Sequence, residues 1–265
     1  MLGATSTTPY DLRFRFLDIP VRIHPLFWLM AAVLGFQEND IPAILIWIGC
    51  VLVSILVHEY GHGLMAKHFH GSPSIVLYGL GGLCSSQGER TPGQRLAVLF
   101  AGPGAGFVLC AAVLAVASLA LGITGSEHLA VMQRLVGLSP NKEDLFGATQ
   151  KLVWSPTAFE IYFNMIWINL LWGLVNLLPI YPLDGGQATQ VVLSQVDRRH
   201  GVRRAHIVSL VTAGVLAVLA AIVNRHDYFP VIFFGILAVL NYQVLQSLHQ
   251  AQAFGLYHDD DWWRG

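Results

Sequence analysis

Charge is scarce in this sequence: Asp, Glu, Lys and Arg make up only 12% of its 265 residues. Soluble globular domains carry about 25%, so an ordinary soluble domain is excluded as the reading. No run of Lys or Arg occurs and the net charge is −1. That removes the electrostatic basis for binding nucleic acid. Cysteine is nearly absent: Cys50, Cys84 and Cys110 lie in or beside apolar segments without CxxC spacing. They read as small buried hydrophobes, not as a disulfide framework or a thiolate metal site. The opening stretch MLGATSTTPYDLRFRFLDIPVRIHP lacks a continuous apolar core, so no cleavable signal peptide is expected and the first apolar helix does the targeting. Internal repeats, low-complexity tracts and long linkers are also missing, which predicts one domain over residues 1–265.

What the chain has instead is apolar length. Hydrophobic residues form 54% of it, and its mean hydropathy is +0.56. Apolar segments run over Pro25–Phe36, Ile41–Phe69, Gly93–Leu121, Thr157–Leu178, Arg204–Val223 and Phe229–Leu248. Most are far longer than the 4 to 8 residues of a buried strand, and about 20 apolar residues span a hydrocarbon layer of about 30 Å. The predicted fold class is an all-α polytopic membrane protein with about six transmembrane helices. The first segment is short for a crossing, which leaves five spans as the alternative. Arg13–Ile23 alternates like an interfacial strand, and Ser74–Ser86, SIVLYGLGGLCSS, reads as a short β-hairpin on the cytoplasmic side. Leu129–Leu138 reads as an interfacial helical turn. Thr91 followed by Pro92 marks the start of the third span.

Lys and Arg set the expected orientation. Arg13, Arg15 and Arg22 precede the first span; Lys67, Arg90 and Arg95 border the second connection; Arg198, Arg199, Arg203 and Arg204 border the fourth. The Gln37–Asp40 stretch carries only acids as its charges. Both termini and the even-numbered connections are then cytoplasmic, although Arg134, Lys142 and Lys151 run against the pattern in the Gly122–Pro156 connection.

The sharpest chemical signal is His58-Glu59-Tyr60-Gly61-His62, an HExxH inside the second apolar segment. Spacing of i and i+4 sets both imidazoles on one helix face, about 5–6 Å apart at Cβ, where one Zn²⁺ can take both. Glu59 stands beside such a metal, placed to accept a proton from a water and return it to a leaving amine. Ionisable residues at membrane depth are expensive and point to function by default. A catalytic zinc normally has three protein ligands. The third is sought in Asn176–Gly186, NLLPIYPLDGG, where prolines stop the fourth span and glycines let the backbone turn, presenting Asp184. Depth supports the pairing: His58 is seventeen residues beyond Ile41, about 26 Å at 1.5 Å per residue. The fourth span uses up about 30 Å near Leu178, with Asp184 just past it.

HEYGH on the second span and NLLPIYPLDGG after the fourth resemble the site-2 protease family of intramembrane zinc metalloproteases, and the likeness covers most of the chain. The resemblance implies one zinc held by His58, His62 and Asp184, with Glu59 driving hydrolysis of a peptide bond in or near the transmembrane segment of a membrane-anchored protein substrate. The active site would lie near the cytoplasmic side of the bilayer, with the cell membrane as the expected location. Asn176 matches the family's asparagine before the proline and would contact the substrate or the oxyanion; helix packing is the other reading for it, and the stronger one for Asn164 and Asn169. Ala101-Gly102-Pro103 resembles the family's AGP motif, but Gly106 replaces the asparagine that follows it there, leaving a small-residue packing surface with Pro103 as a kink. The Ser74–Ser86 hairpin would add an unwound substrate segment as an extra strand. No room is seen for the PDZ or CBS domains of other members.

Several residues are set aside. His68 is ten residues from His58, about 280° round the helix, and cannot share its face. His70 lies just beyond the motif, and His24, His128, His200, His206, His226, His249 and His258 are expected at ends or connections, solvated or interfacial. Asp259–Asp261 with Trp262 and Trp263 reads as a solvated terminus, and Trp154, Trp167 and Trp172 as interface or packing residues. The rival function is a zinc-binding membrane protein without peptidase activity, a carrier or chaperone-like binder. A carrier should continue its polar residues across the bilayer, and the adjacent Glu59 has no place in a pure binder.

Overall fold

The computed structural model describes residues 7–35, 40–79, 81–88, 90–135, 137–153, 155–223 and 228–253. Trp154, His226, His258 and the Asp259–Trp263 tail lie outside the described residues, as do Gln37 to Asn39. Contacts divide the chain into two compact units: Met1–Glu89 with Ala101–Leu174, and Arg90–Phe100 with Val175–Gly265.

The first unit contains a four-stranded sheet ordered β1-β2-β3-β4. Strands β1 (Leu12–Phe16) and β2 (Ile19–Ile23) form a tight antiparallel hairpin, so the single strand expected over Arg13–Ile23 is in fact two. The reason is local: Leu17 and Asp18 both adopt positive φ, 49° and 60°, the backbone of a two-residue turn whose twist matches the flanking strands. Strands β3 (Ser72–Tyr78) and β4 (Gly81–Gln87) form the expected second hairpin, and β2 joins it by parallel pairing with β3. Ile19, Val21, Ile23, Ile75 and Leu77 alternate onto one face and are buried with Phe27, Val51 and Ile55.

Helix α1 (Pro25–Leu34) has only 10 residues, about 15 Å, so the first apolar segment is too short a helix to cross a bilayer alone. Helix α2 (Ile41–His68) has 28 residues, about 42 Å, capped by Asp40, whose Oδ1 accepts from the Ala43 amide at 3.0 Å. Helix α3 (Pro92–Leu121) begins in a capping box: Thr91 Oγ1 accepts from Gln94 N, and Gln94 Oε1 accepts from Thr91 N. Short helices α4 (Gly125–Leu135) and α5 (Lys142–Leu152) precede α6 (Pro156–Trp167), which runs through a π-helical turn, Ile168–Trp172, into α7 (Gly173–Asn176). In the second unit, α8 (Asp184–Val196), α9 (Gly201–Val223) and α10 (Phe229–Ala253) pack in sequence order, with Ile180, Ala213 and Leu237 at the core.

Five helical stretches among the described residues are long and apolar enough to cross a membrane. Only 11 to 33% of the residues in each apolar window are buried, so most of these apolar residues are partly or fully exposed, as lipid-facing helices require and a water-soluble fold does not tolerate. This is a multi-pass helical membrane protein with a small sheet.

His128 corrects its expectation: it is buried, with Nδ1 2.7 Å from Tyr162 Oη and Nε2 2.8 Å from Ser118 Oγ, tying α4 to α3 and α6. Burial pulls its pKa below the usual 6.5, while neighbouring Glu127 acts the other way. Glu127 is in turn held by Lys151 at 2.7 Å. A histidine kept neutral by the fold leaves the unfolded chain to bind the proton first, so stability declines as pH falls below about 6.5 and levels off below the folded-state value. Thermal unfolding in detergent should show a shallower decline over this window for His128→Gln than for the natural sequence; equal slopes would refute it.

Candidate metal centre

The first unit brings His58, Glu59 and His62 together on the buried side of α2, at 9%, 5% and 7% exposure. The two imidazoles cross at 78°, and their Nε2 atoms stand 3.1 Å apart. Two nitrogens bound at about 2.0–2.1 Å to a tetrahedral zinc are about 3.3 Å apart, so the pair fits one ion with little movement.

The surroundings explain why these side chains converge. A methyl group at Gly102 would collide with the His62 imidazole, and one at Gly61 with the Ala101 backbone carbonyl. The small residues of Ala101–Gly106 are therefore a close-packing surface, as expected, and the HExxH glycine completes it from the opposite helix. Gly82 on β4 plays the matching part for Glu59, whose Oε1 would lie 2.5 Å from a Cβ placed there. Sequence reading missed this role; a Gly-Gly pair inside a strand is the signal that a neighbour approaches closely.

One helical turn before His58, Ser54 Oγ accepts from Asn169 Nδ2 at 2.9 Å, and the same amide donates to the Met165 carbonyl at 2.8 Å. Asn169 is a packing amide, as expected. Its Oδ1 faces Gly106, so the position without an asparagine side chain in α3 has an amide against it from the π-helical turn after α6. A cavity of about 10 Å³, the volume for one water, is lined by Ser54, His58, Gly106, Asn169 and Trp172. Tyr60 donates its hydroxyl to the Phe16 carbonyl at 3.3 Å, and Lys67 reaches Leu17 O and Asp18 Oδ2, each at 3.1 Å, fastening the first hairpin to α2. His68 and His70 are exposed and take no part.

In the second unit, Asp184 is the buried first residue of α8, where the helix dipole favours a carboxylate. Gly185 and Gly186 are required there: a Cβ on either would run into the backbone of Leu177 and Leu178 or of Ile180 and Tyr181. Asn176, buried, ends α7. His206, expected near solvent, is also buried; its Nδ1 is 2.8 Å from Asn241 Oδ1.

A polytopic helical protein whose HExxH sets both imidazoles together on the buried side of one helix has the donor arrangement of the zinc metallopeptidase class. Residues 46–220 match the sequence pattern of peptidase family M50, and the chain belongs to that family. Rip3 of Mycobacterium tuberculosis is 29% identical over 182 residues, 66% of this chain and 38% of its own length. Stage IV sporulation protein FB of Bacillus subtilis is 26% identical over 182 residues, 68% of this chain and 49% of its own. The chain thus spans less than half the length of these relatives. The solved structure of the site-2 protease from Methanocaldococcus jannaschii shares the fold, with a TM-score of 0.55 and 19% identity over 89% of this chain and 95% of that one.

Proposed function

We propose that this chain is a zinc-dependent intramembrane endopeptidase that hydrolyses a peptide bond in or near the transmembrane segment of a membrane-anchored protein. The observation that carries it is the buried, converging His58 and His62 pair with Glu59 beside it, on a membrane-length helix of an M50 chain. His58, His62 and Asp184 are the ligands of one zinc. Two imidazoles and a carboxylate are a donor set that suits this ion. When bound, zinc supplies a Lewis acid for the scissile carbonyl and eases deprotonation of water. Glu59 accepts the proton from the attacking water and delivers it to the departing amine, so the carboxylate ends as it began. Asn176 offers an amide N–H to the carbonyl oxygen as it gains charge.

The substrate must present an extended backbone. Strand β4 is an edge of the sheet and packs through Gly82 on Glu59, which supports docking of an unwound segment as a further strand beside the carboxylate. The sheet also supports the orientation. Parallel pairing of β2 with β3 holds the N-terminal hairpin at the end of α2 from which β3 emerges. Lys67, Arg90 and Arg95 assign the sheet side to the cytoplasm, and the two units act as one catalytic domain.

The test is cleavage of a panel of single-span proteins by the purified chain in detergent. Chelation should abolish cleavage, and added zinc should restore it. Tight zinc binding with no cleavage across the panel would favour the non-proteolytic binder, and cleavage indifferent to chelation would end the metal reading.

A further inference from the structure

We propose that Ser209 and Asn241 form a clamp on the backbone of Tyr181 that sets the position of Asp184, with His206 orienting the clamp. The inference rests on the reading of Asp184 as a zinc ligand. Residues 177–183 connect α7 to α8 outside any regular helix, and within that stretch the Tyr181 peptide groups are held from elsewhere. The Tyr181 N–H donates to Ser209 Oγ at 2.9 Å, from α9, and its carbonyl accepts from Asn241 Nδ2 at 2.7 Å, from α10. Both side chains are buried, Ser209 at 0% and Asn241 at 1% exposure.

The remaining hydrogen-bonding capacity of the clamp is assigned in one direction. Ser209 donates its own hydroxyl to Ala205 O at 2.9 Å, which leaves its oxygen to accept from Tyr181. The second N–H of Asn241 goes to Leu237 O at 2.8 Å, so Oδ1 faces His206 and must accept, placing a proton on His206 Nδ1. The His206 ring then stands edge-on to the Tyr181 ring at 4.9 Å. The clamped peptide is itself the surface that Asp184's neighbour rests on, since a Cβ at Gly186 would strike Ile180 and the Tyr181 nitrogen. A shift of Tyr181 is therefore passed to the first turn of α8, which bears the carboxylate. Apolar helices such as α9 and α10 have no packing need for a serine, an asparagine and a histidine on a shared buried seam; these three serve a backbone that has left its helical ladder at membrane depth.

Satisfying that backbone is one effect, and positioning the ligand is a second that can be measured apart from it. Zinc affinity of the purified full chain in detergent, by competition with a chelator, is compared for Asn241→Leu, Ser209→Ala, Asp184→Ala and Leu152→Ala, well below each unfolding temperature. Leu152 is buried in the first unit and serves as a packing-loss control. Partners that orient metal ligands are typically worth 10- to 100-fold in affinity. A loss of that size is expected in Asn241→Leu and Ser209→Ala, a larger one in Asp184→Ala, and none in Leu152→Ala. If Asn241→Leu fails to fold, Ser209→Ala, which removes one oxygen, carries the test. Natural affinity in both clamp variants with a weakened Asp184→Ala overturns the clamp and leaves the ligand reading standing. Natural affinity in Asp184→Ala overturns both, and an equal loss in Leu152→Ala reduces the clamp to general stability.

Discussion

Replacing Glu59 by Gln is expected to lower cleavage of a single-span substrate by about 10²- to 10⁴-fold while zinc content stays at one per chain. The substitution is nearly isosteric and leaves His58 and His62 untouched, but an amide cannot take a proton from water at neutral pH. Glu59 sits at 5% exposure against Gly82, so a bulk-water base has little access to replace it. Equal turnover by both proteins would refute the acid-base assignment, and loss of zinc from Glu59→Gln would make Glu59 a ligand instead. Retained zinc with turnover lost would separate catalysis from ligation in one measurement.

A large loss, of zinc as well as of cleavage, is expected from a single methyl group on another helix. Gly102→Ala puts Cβ into the space of the His62 imidazole, Nε2 included, so the ring must leave its place. Zinc binding and cleavage should then both fall by at least about 10-fold, although no ligand has been changed. Gly104 is the control. It lies in the same helix two residues on, and a methyl there meets nothing within 4 Å among the described residues. Gly104→Ala should keep zinc and activity. Atomic absorption on the two purified variants decides it: zinc retained by Gly102→Ala would mean that His62 does not ligate from the position described. Gly82→Ala extends the logic to Glu59, with cleavage reduced and zinc kept.

Much of the site was legible because HExxH is a local device. The i, i+4 spacing alone puts His58 and His62 on one face of α2, and the structure brings their Nε2 atoms to 3.1 Å. The transmembrane character was legible for an equally local reason, since apolar length is a property of consecutive residues. The first segment marks the limit. Its composition suits a membrane, but residues Pro25–Leu34 yield only 10 helical residues, because His24 and Pro25 start the helix late and Gly35 ends it. Histidines were the weakest part of the reading. His128 and His206 sit near the ends of apolar segments, where solvent was expected, yet both are buried by partners 34 and 35 residues away.

A multi-pass membrane protein with a candidate His58-Glu59-His62 centre was readable before any fold was known, since hydropathy and helical periodicity act within one segment and need no partner. Tertiary structure alone decided what holds that centre in shape. Gly102 against His62, Gly82 against Glu59, Asn169 against Ser54, and Ser209 with Asn241 on Tyr181 join residues from about 20 to more than 100 positions apart. Such pairs leave no periodic trace, because a contact between helices depends on crossing geometry and on the atoms each surface lacks as much as on those it carries.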